Sequence, residues 1–475
     1  MMIPRKIAGW RFAAMGLVAV VLCACAPRAH AIPAFARKYG LRCSACHEAW
    51  PMLNSFGQKF KDNGYQLLNG RDAPIWQNPS YWPVTFRITP LWHRESDSQV
   101  AVNTSTGTNN GAQQITSSGF DLSGLDFHTG GTIENNISFY VLPSSNPAGA
   151  FHFETVMGRF DNLQGSSWLN VKLGKFELDN LVSEKRILTL TNDGGVYQIY
   201  HFIPPGDGNI FGQIGDNQLG VELMGHSLDD RTRYSAALIS SNDGNVNLSA
   251  GANSYTGFFT LSHAFDAGKL GLERIGGYAM VGEAATDYAT STTATGAIAT
   301  TNPPTPVLVT SPIGGSGIGN KPFQREGLVG IFYLRKLVFQ VVTQHGWDNA
   351  WFGAGYGQGT SGQNNSSGAT LPPGSRSPSW NGAFVETEYV WNPQLAFIQR
   401  SEWVRMSQQA QASSASNLGN IDAYTFALRW YPLMNSRAGL ALHPEYSWIR
   451  QIGTAPVTGA NLETSSLMLG VDFAF

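Results

Sequence analysis

The chain ends on SLMLGVDFAF, in which Leu467, Leu469, Val471, Phe473 and Phe475 share one face of an extended strand and Met468, Gly470, Asp472 and Ala474 share the other. A period of two, with one face wholly apolar and the other polar or small, belongs to a β-strand that separates two unlike surroundings. The same period recurs from position 83 onward. Val84, Phe86 and Ile88 alternate with Thr85, Arg87 and Thr89; Leu169, Val171 and Leu173 alternate with Asn170, Lys172 and Gly174; Tyr424, Phe426, Leu428 and Trp430 alternate with Thr425, Ala427 and Arg429. Residues 76–475 are therefore read as all-β.

Two kinds of connection separate these strands. Asn192-Asp193-Gly194-Gly195 and Asn242-Asp243-Gly244-Asn245 offer the positive-φ residues of tight hairpins. Gln99 to Gly119, Ala284 to Lys321 and Phe352 to Ser379 are long, rich in Ser, Thr, Asn, Gly and Pro, and nearly free of charge. Short turns at one rim and long loops at the other describe a transmembrane barrel. Trp82, Trp92, Trp391, Trp430, Tyr431 and Trp448 suit its aromatic girdles. A soluble sandwich or propeller shares the alternation but brings regular repeats or shorter domains, and no repeat is found here. The final strand, ending on an aromatic residue, resembles the carboxy-terminal signature of bacterial outer-membrane barrels. At about 9–11 residues per strand, the span accommodates about 16 antiparallel strands, enough to enclose an aqueous space. Charged residues make up only 13% of the chain and the formal net charge is -2, so the basic footprint of a nucleic-acid binder is missing.

The first residues read as an export signal, 1–31. Arg5, Lys6 and Arg11 supply the positive region, Phe12 to Ala26 the apolar core, and Ala29-His30-Ala31 a small-x-small cleavage site that starts the mature chain at Ile32. Leu22-Cys23-Ala24-Cys25 offers a second reading, a lipoprotein box with lipidation at Cys25. Either way the chain is exported, and the outer membrane of a Gram-negative-type bacterium is its expected place. A retained membrane helix is disfavoured by the shortness of the apolar stretch.

Cleavage at Ile32 leaves two of the four cysteines, Cys43 and Cys46, in Cys43-Ser44-Ala45-Cys46-His47. Two thiols three positions apart can add to the two vinyl groups of a haem, and a following histidine can bind its iron. A redox C-x-x-C pair would expect a βαβ setting, and a zinc knuckle a second ligand pair; the segment shows neither. One covalent haem c on Cys43 and Cys46, with His47 as the proximal iron ligand, is the reading. Residues 32–75 then form a small α-helical haem segment. One or two helical turns run over Pro33 to Gly40, and a helix opened by Pro51 spans to Asn63, with Leu53, Phe56 and Phe60 on one face for the haem edge or for plain core packing. A segment so short buries a haem poorly alone, so the barrel lumen is its expected shelter. The sixth ligand stays open: Met52 follows His47 by only five residues, His93, His128 and His152 are alternatives that also fit as ordinary strand histidines, and a five-coordinate or water-ligated iron is a further option. Glu386, Glu388, Glu402 and Asp472 fall on the polar faces of strands. Their oxygens suit a metal cation, and they suit equally the solvated lining of any porin lumen.

With both parts in view, AIPAFARKYGLRCSACHEAWPMLNSFGQKFKDNGY, residues 31–65, resembles the head of the fused monohaem cytochrome–porins of bacterial outer membranes, whose best-known members are extracellular Fe(II) oxidases. The likeness is carried by Pro33-Ala34-Phe35-Ala36-Arg37 before the haem motif, and by Pro51, Leu53-Asn54, Phe56-Gly57, Phe60-Lys61 and Gly64-Tyr65 after it. Lys38-Tyr39-Gly40 and Gly57-Gln58 stand where the iron oxidases tend to have Gln-Thr-Gly and Gly-Arg, and these changes leave Cys43, Cys46 and His47 intact. The resemblance implies an outer-membrane iron oxidase that takes electrons from extracellular Fe(II) and passes them to a periplasmic carrier, a cytochrome or a copper protein. An outward electron conduit, and a channel whose haem unit is a plug or sensor, are its alternatives.

Overall fold

The computed structural model describes residues 34–68, 72–77, 84–101, 112–145, 150–183, 186, 188, 198–201, 214, 217–240, 255–285, 290–299, 305–312, 320–349, 377, 379–407, 420–434, 438–452 and 460–475. Sixteen of its strands close into one antiparallel barrel, running from Val84–Ala101 through each chain neighbour in turn to Leu462–Ala474, which pairs back on Val84–Ala101. At the seam Phe86 and Phe475 exchange backbone hydrogen bonds of 2.7 and 2.8 Å. A separate two-stranded sheet, Thr290–Ala299 with Thr305–Pro312, stands outside this ring.

The wall is inside out relative to a soluble domain. Leu238, Leu261, Phe426, Leu467 and Leu469 are exposed outward, while Arg87, Asp126, Lys172, Arg429 and Asp472 face inward. A contiguous apolar exterior of this kind is stable only in lipid, and a closed barrel satisfies every wall amide there, so this is a porin-type barrel of the outer-membrane class. Tyr424 stacks on Trp448 on that exterior at 5.6 Å, and Trp391 and Trp430 flank the opposite rim. Tyr431 is a correction: it is 1% exposed and points inward, because one residue along a strand reverses the face. Trp82 lies outside the described residues.

The connections divide as the long-and-short pattern predicts. One rim carries tight turns such as Asn135-Asn136 and Arg335-Lys336, in which Asn136 and Arg335 take positive φ, and all the long connections leave the other. The residues named for tight hairpins, Asn192 to Gly195 and Asn242 to Asn245, lie outside the described residues. Much of Gln99 to Gly119 is strand, since Val84–Ala101 and Ala112–Glu134 run on as a polar hairpin past the apolar belt. Ala284 to Lys321 likewise contains the outlying two-stranded sheet, and nearly all of Phe352 to Ser379 is outside the described residues.

The lumen is filled from both ends. At the short-turn end sits the N-terminal segment, with helices α1 (Ala34–Tyr39), α2 (Cys43–Cys46) and α3 (Ser55–Asp62). Between α2 and α3 a minute hairpin pairs His47–Ala49 with Met52–Leu53. Pro51 therefore lies in a turn and does not open α3. Asn54 is the N-cap, its side chain accepting from the Gly57 amide at 2.9 Å. From the other side the connection after strand Asn170–Glu177 folds inward. Its Leu178, Val182, Ile199, Tyr200 and Ile214 pack with wall residues such as Phe258, Phe323 and Trp380, and its helix α4 (Gln198–His201) is held by Glu402, which accepts from the Ile199 amide, and by Gln344, which donates to the Ile199 carbonyl at 2.9 Å.

Candidate functional site

The N-terminal segment is fixed to the wall around much of its circumference. Lys38 donates to Thr132 Oγ1 at 3.3 Å, the Tyr431 hydroxyl donates to the Trp50 carbonyl at 2.6 Å, and Gln340 donates to the Met52 sulfur at 3.6 Å. The strongest clamp is ionic. Arg233 donates to Asp62 Oδ1 at 2.8 Å, its Nε lies 2.7 Å from Asp62 Oδ2, and it reaches Asp179 of the inward connection at 3.2 Å. Arg159 adds a 2.9 Å bond to the Lys61 carbonyl and a second bond to the Asp62 carbonyl. Charged groups this deep are tolerable only when paired, so the pattern fixes one seating of the segment.

Between segment and wall lies a cavity of about 530 Å³, within the range of cofactor sites. Cys43, Cys46 and His47 all line it. The short helix α2 turns both thiols toward the same space, and the two are not joined in a disulfide. Helix α3 presses on this turn so closely that a Cβ on Gly57 would stand 2.1 Å from the Cys46 carbonyl oxygen. Its cavity face carries Gly57, Phe60 and Lys61, with Leu53 from the small hairpin; Phe56, expected on that face, is 44% exposed and turns away.

The imidazole is oriented for ligation. His47 Nδ1 lies 3.0 Å from the Pro51 carbonyl and 3.3 Å from that of Met52. Carbonyls only accept, so Nδ1 carries the proton and the lone pair sits on Nε2, the arrangement usual for metal-bound histidine. Burial, only partly opposed by those two carbonyls, pushes the ring down to about 4, which keeps it neutral and ligand-competent at neutral pH. Burial also holds the Cys46 thiol up at about 11, with neighbouring Cys43 adding to the effect.

The remaining lining combines an aromatic cluster with charged groups of both signs. Phe35 stacks on Tyr65 at 4.8 Å, and Phe60 meets Phe35 and Tyr39 edge-on at 5.4 and 5.2 Å. Lys61, Arg87, Lys172 and Arg186 line it beside Asp126, Glu154 and Glu177, and the cations are paired: Arg87 with Asp126 and Asp472, Arg186 with Glu177, Lys61 near Glu177 and Asp179, Lys172 with Glu222. The aromatic part of this lining suits a flat apolar macrocycle. Cys43, Cys46 and His47 would hold a haem c here, two thiols and one neutral imidazole on one cavity being the donor set that group requires.

The other sequence candidates separate. His128 lines the cavity; Met52, His93 and His152 do not. Met52 is turned to Gln340, His93 lies 3.1 Å from Glu95, and His152 is exposed. The four acids face inward as predicted, but neither as a cation site nor as a solvated lining: Glu386, Glu388 and Asp472 are 0% exposed and Glu402 3%. Asp472 pairs with Arg87 and Arg429, Glu386 with Arg400 at 3.5 Å, Glu388 accepts from Gln340 at 2.8 Å, and Glu402 caps α4. Sequence reading missed the clamp of Arg233 and Arg159, whose residues lie 171 and 97 positions from Asp62 and leave no local signal.

Among solved structures the chain is similar to the outer-membrane channel DcaP of Acinetobacter baumannii (10% identity, 83% of this chain and 97% of that one, TM-score 0.48), to an anion-selective porin from Comamonas acidovorans (9%, 82% and 99%, 0.47) and to OmpT of Vibrio cholerae in a loop-deletion form (9%, 82% and 99%, 0.44). No protein-family model and no curated protein matches the chain.

Proposed function

We propose that this chain is an outer-membrane cytochrome–porin that carries electrons between the cell exterior and the periplasm, with extracellular Fe(II) as donor and a periplasmic cytochrome or copper protein as acceptor. The observation that carries the reading is the convergence of Cys43, Cys46 and His47 on one cavity enclosed by the barrel. Bound there, haem c supplies a one-electron couple. The chain's own residues do the rest. Cys43 and Cys46 anchor the group, the Pro51 and Met52 carbonyls aim His47, and the aromatic cluster of Phe35, Phe60 and Tyr65 keeps water from its edge. The segment sits at the short-turn rim, the periplasmic side in barrels of this class, which puts the site within reach of a soluble partner. A single haem is shorter than the apolar band of about 25 Å, so the outer donor must enter from the long-loop side toward it.

The test is rapid mixing of the purified, oxidised, detergent-solubilised protein with Fe(II). The reduced c-type band rising within seconds, and falling when a soluble acceptor is added, supports the reading; reduction by strong chemical reductants alone removes Fe(II) as donor. Loss of haem staining in Cys43→Ala and Cys46→Ala supports attachment, and unchanged staining and spectra in both variants and in His47→Ala overturn it. A solute channel is the second reading, favoured by the barrel's size, since sixteen strands enclose an aqueous channel in porins. It predicts liposome conductance that survives His47→Ala.

A further inference from the structure

Two imidazoles face the cavity that receives the haem motif, and they come from different parts of the fold. His47 belongs to the N-terminal segment; His128 projects inward from the wall strand Ala112–Glu134, level with inward-facing Thr85 on the neighbouring strand. Each has its Nδ1 beside a hydrogen-bonding oxygen. Nδ1 of His128 lies 2.5 Å from the Tyr140 hydroxyl, as Nδ1 of His47 lies against the Pro51 and Met52 carbonyls. A hydrogen bond at Nδ1 fixes the ring plane, and where the Tyr140 hydroxyl accepts from Nδ1 the lone pair of His128 sits on Nε2, the atom then able to coordinate. Nε2 of His128 has no hydrogen-bond partner among the described residues. Two residues along the same strand, Gly130 lets the segment come close: a Cβ there would stand 3.3 Å from the Phe35 ring and 2.8 Å from that of Tyr140.

Among the described residues, several other cavity-facing groups that can bind iron are already engaged. Met157 and Met434 pack into apolar clusters. Lys172 is paired with Glu222, Lys61 lies within 4 Å of Glu177 and Asp179, and the Tyr140 hydroxyl is held by His128 itself. We propose that His128 is the distal axial ligand, so that the iron is bound by two histidines, one from the segment and one from the barrel, and the metal staples the two together. This inference rests on the haem reading above.

The experiment uses full-length, haem-loaded protein in detergent, with His128→Ala, His128→Met and wild type compared by absorbance and electron paramagnetic resonance. Covalent haem is measured separately in each by haemochrome assay. The expected result is a low-spin six-coordinate wild type and a high-spin His128→Ala that still carries its haem, binds carbon monoxide readily when reduced, and returns to low spin with added imidazole. His128→Met should show the far-red charge-transfer band of methionine ligation. A His128→Ala that stays low-spin with an unchanged spectrum, or a high-spin wild type, overturns the assignment while leaving haem attachment intact. A wild type without covalent haem overturns the haem reading itself, and the haemochrome assay makes the two failures distinct.

Discussion

Replacing Arg233 with alanine tests how the segment is held in the lumen. The guanidinium, its side chain 7% exposed, is shared by Asp62 of α3, Asp179 of the inward connection and, at 3.7 Å, Asp230 of a short turn between strands. The alanine variant leaves three carboxylates at 4–8% side-chain exposure without their common cation. Breaking a buried ion pair by removing one partner costs about 3–5 kcal/mol, a shift of roughly 150- to 5,000-fold in the balance between docked and undocked segment. The two bonds from Arg159 and the link from Tyr431 remain, so the barrel stays closed and the loss falls on the segment. Hydrogen exchange by mass spectrometry reads this directly. Amides of α3 such as Gln58 and Asn63, bonded to the carbonyls of Asn54 and Lys59, should lose protection by up to that factor while wall amides keep theirs. Adding Asp62→Asn should restore part of the loss by removing one uncompensated charge. Unchanged protection in α3 would refute the clamp as the holding interaction.

Three further outcomes follow from the same geometry. Gly57→Ala forces a Cβ to 2.1 Å from the Cys46 carbonyl oxygen, overpacking worth about 1–3 kcal/mol; covalent haem per folded barrel should fall, as haem staining against heat-modifiable gel mobility would show. Leu469→Arg, on the lipid face at 53% exposure, should lower stability by about 2–4 kcal/mol in urea titrations of vesicle-embedded protein; no shift would mean that face does not meet lipid. Glu402→Ala leaves the buried Ile199 amide of α4 without its acceptor, a cost of about 1–3 kcal/mol; planar-bilayer recordings should show larger or more frequent openings than wild type, and identical traces would mean that α4 does not limit the lumen.

The alternation in residues 467–475 was legible because it is local: each side chain's surroundings follow from its parity, and the observed strand keeps that parity to the last residue. Parity also explains the error at Tyr431, grouped with Trp430 by chemistry when adjacent residues must face opposite ways. The polar ends of Val84–Ala101 and Ala112–Glu134 were invisible as strand because they pass beyond the lipid and no apolar face is demanded of them. The inward connection was hidden for a different reason. Leu178, Val182, Ile199, Tyr200 and Ile214 follow no period, being placed by the wall they meet. At the site, Cys43, Cys46 and His47 fall within five residues, so their facing one cavity is legible in a short window. What distinguishes His128 from His93 and His152 is tertiary: which histidine faces the cavity depends on pairings that no short window contains.

The seam between Leu462–Ala474 and Val84–Ala101 also sets an order of events in biogenesis. The ring has no closed form until its last strand meets its first, and the segment that precedes the first strand gains Tyr431, 381 residues downstream of Trp50, only when nearly the whole chain has been delivered. Seating of the segment and closure of the ring are therefore late and mutually dependent, as contacts of such long sequence separation must be. Any group joined to Cys43 and Cys46 has to be joined while that stretch is still an accessible peptide, upstream of insertion. If the segment carries haem as proposed, its maturation in the periplasm becomes a checkpoint that the closing of the wall must follow.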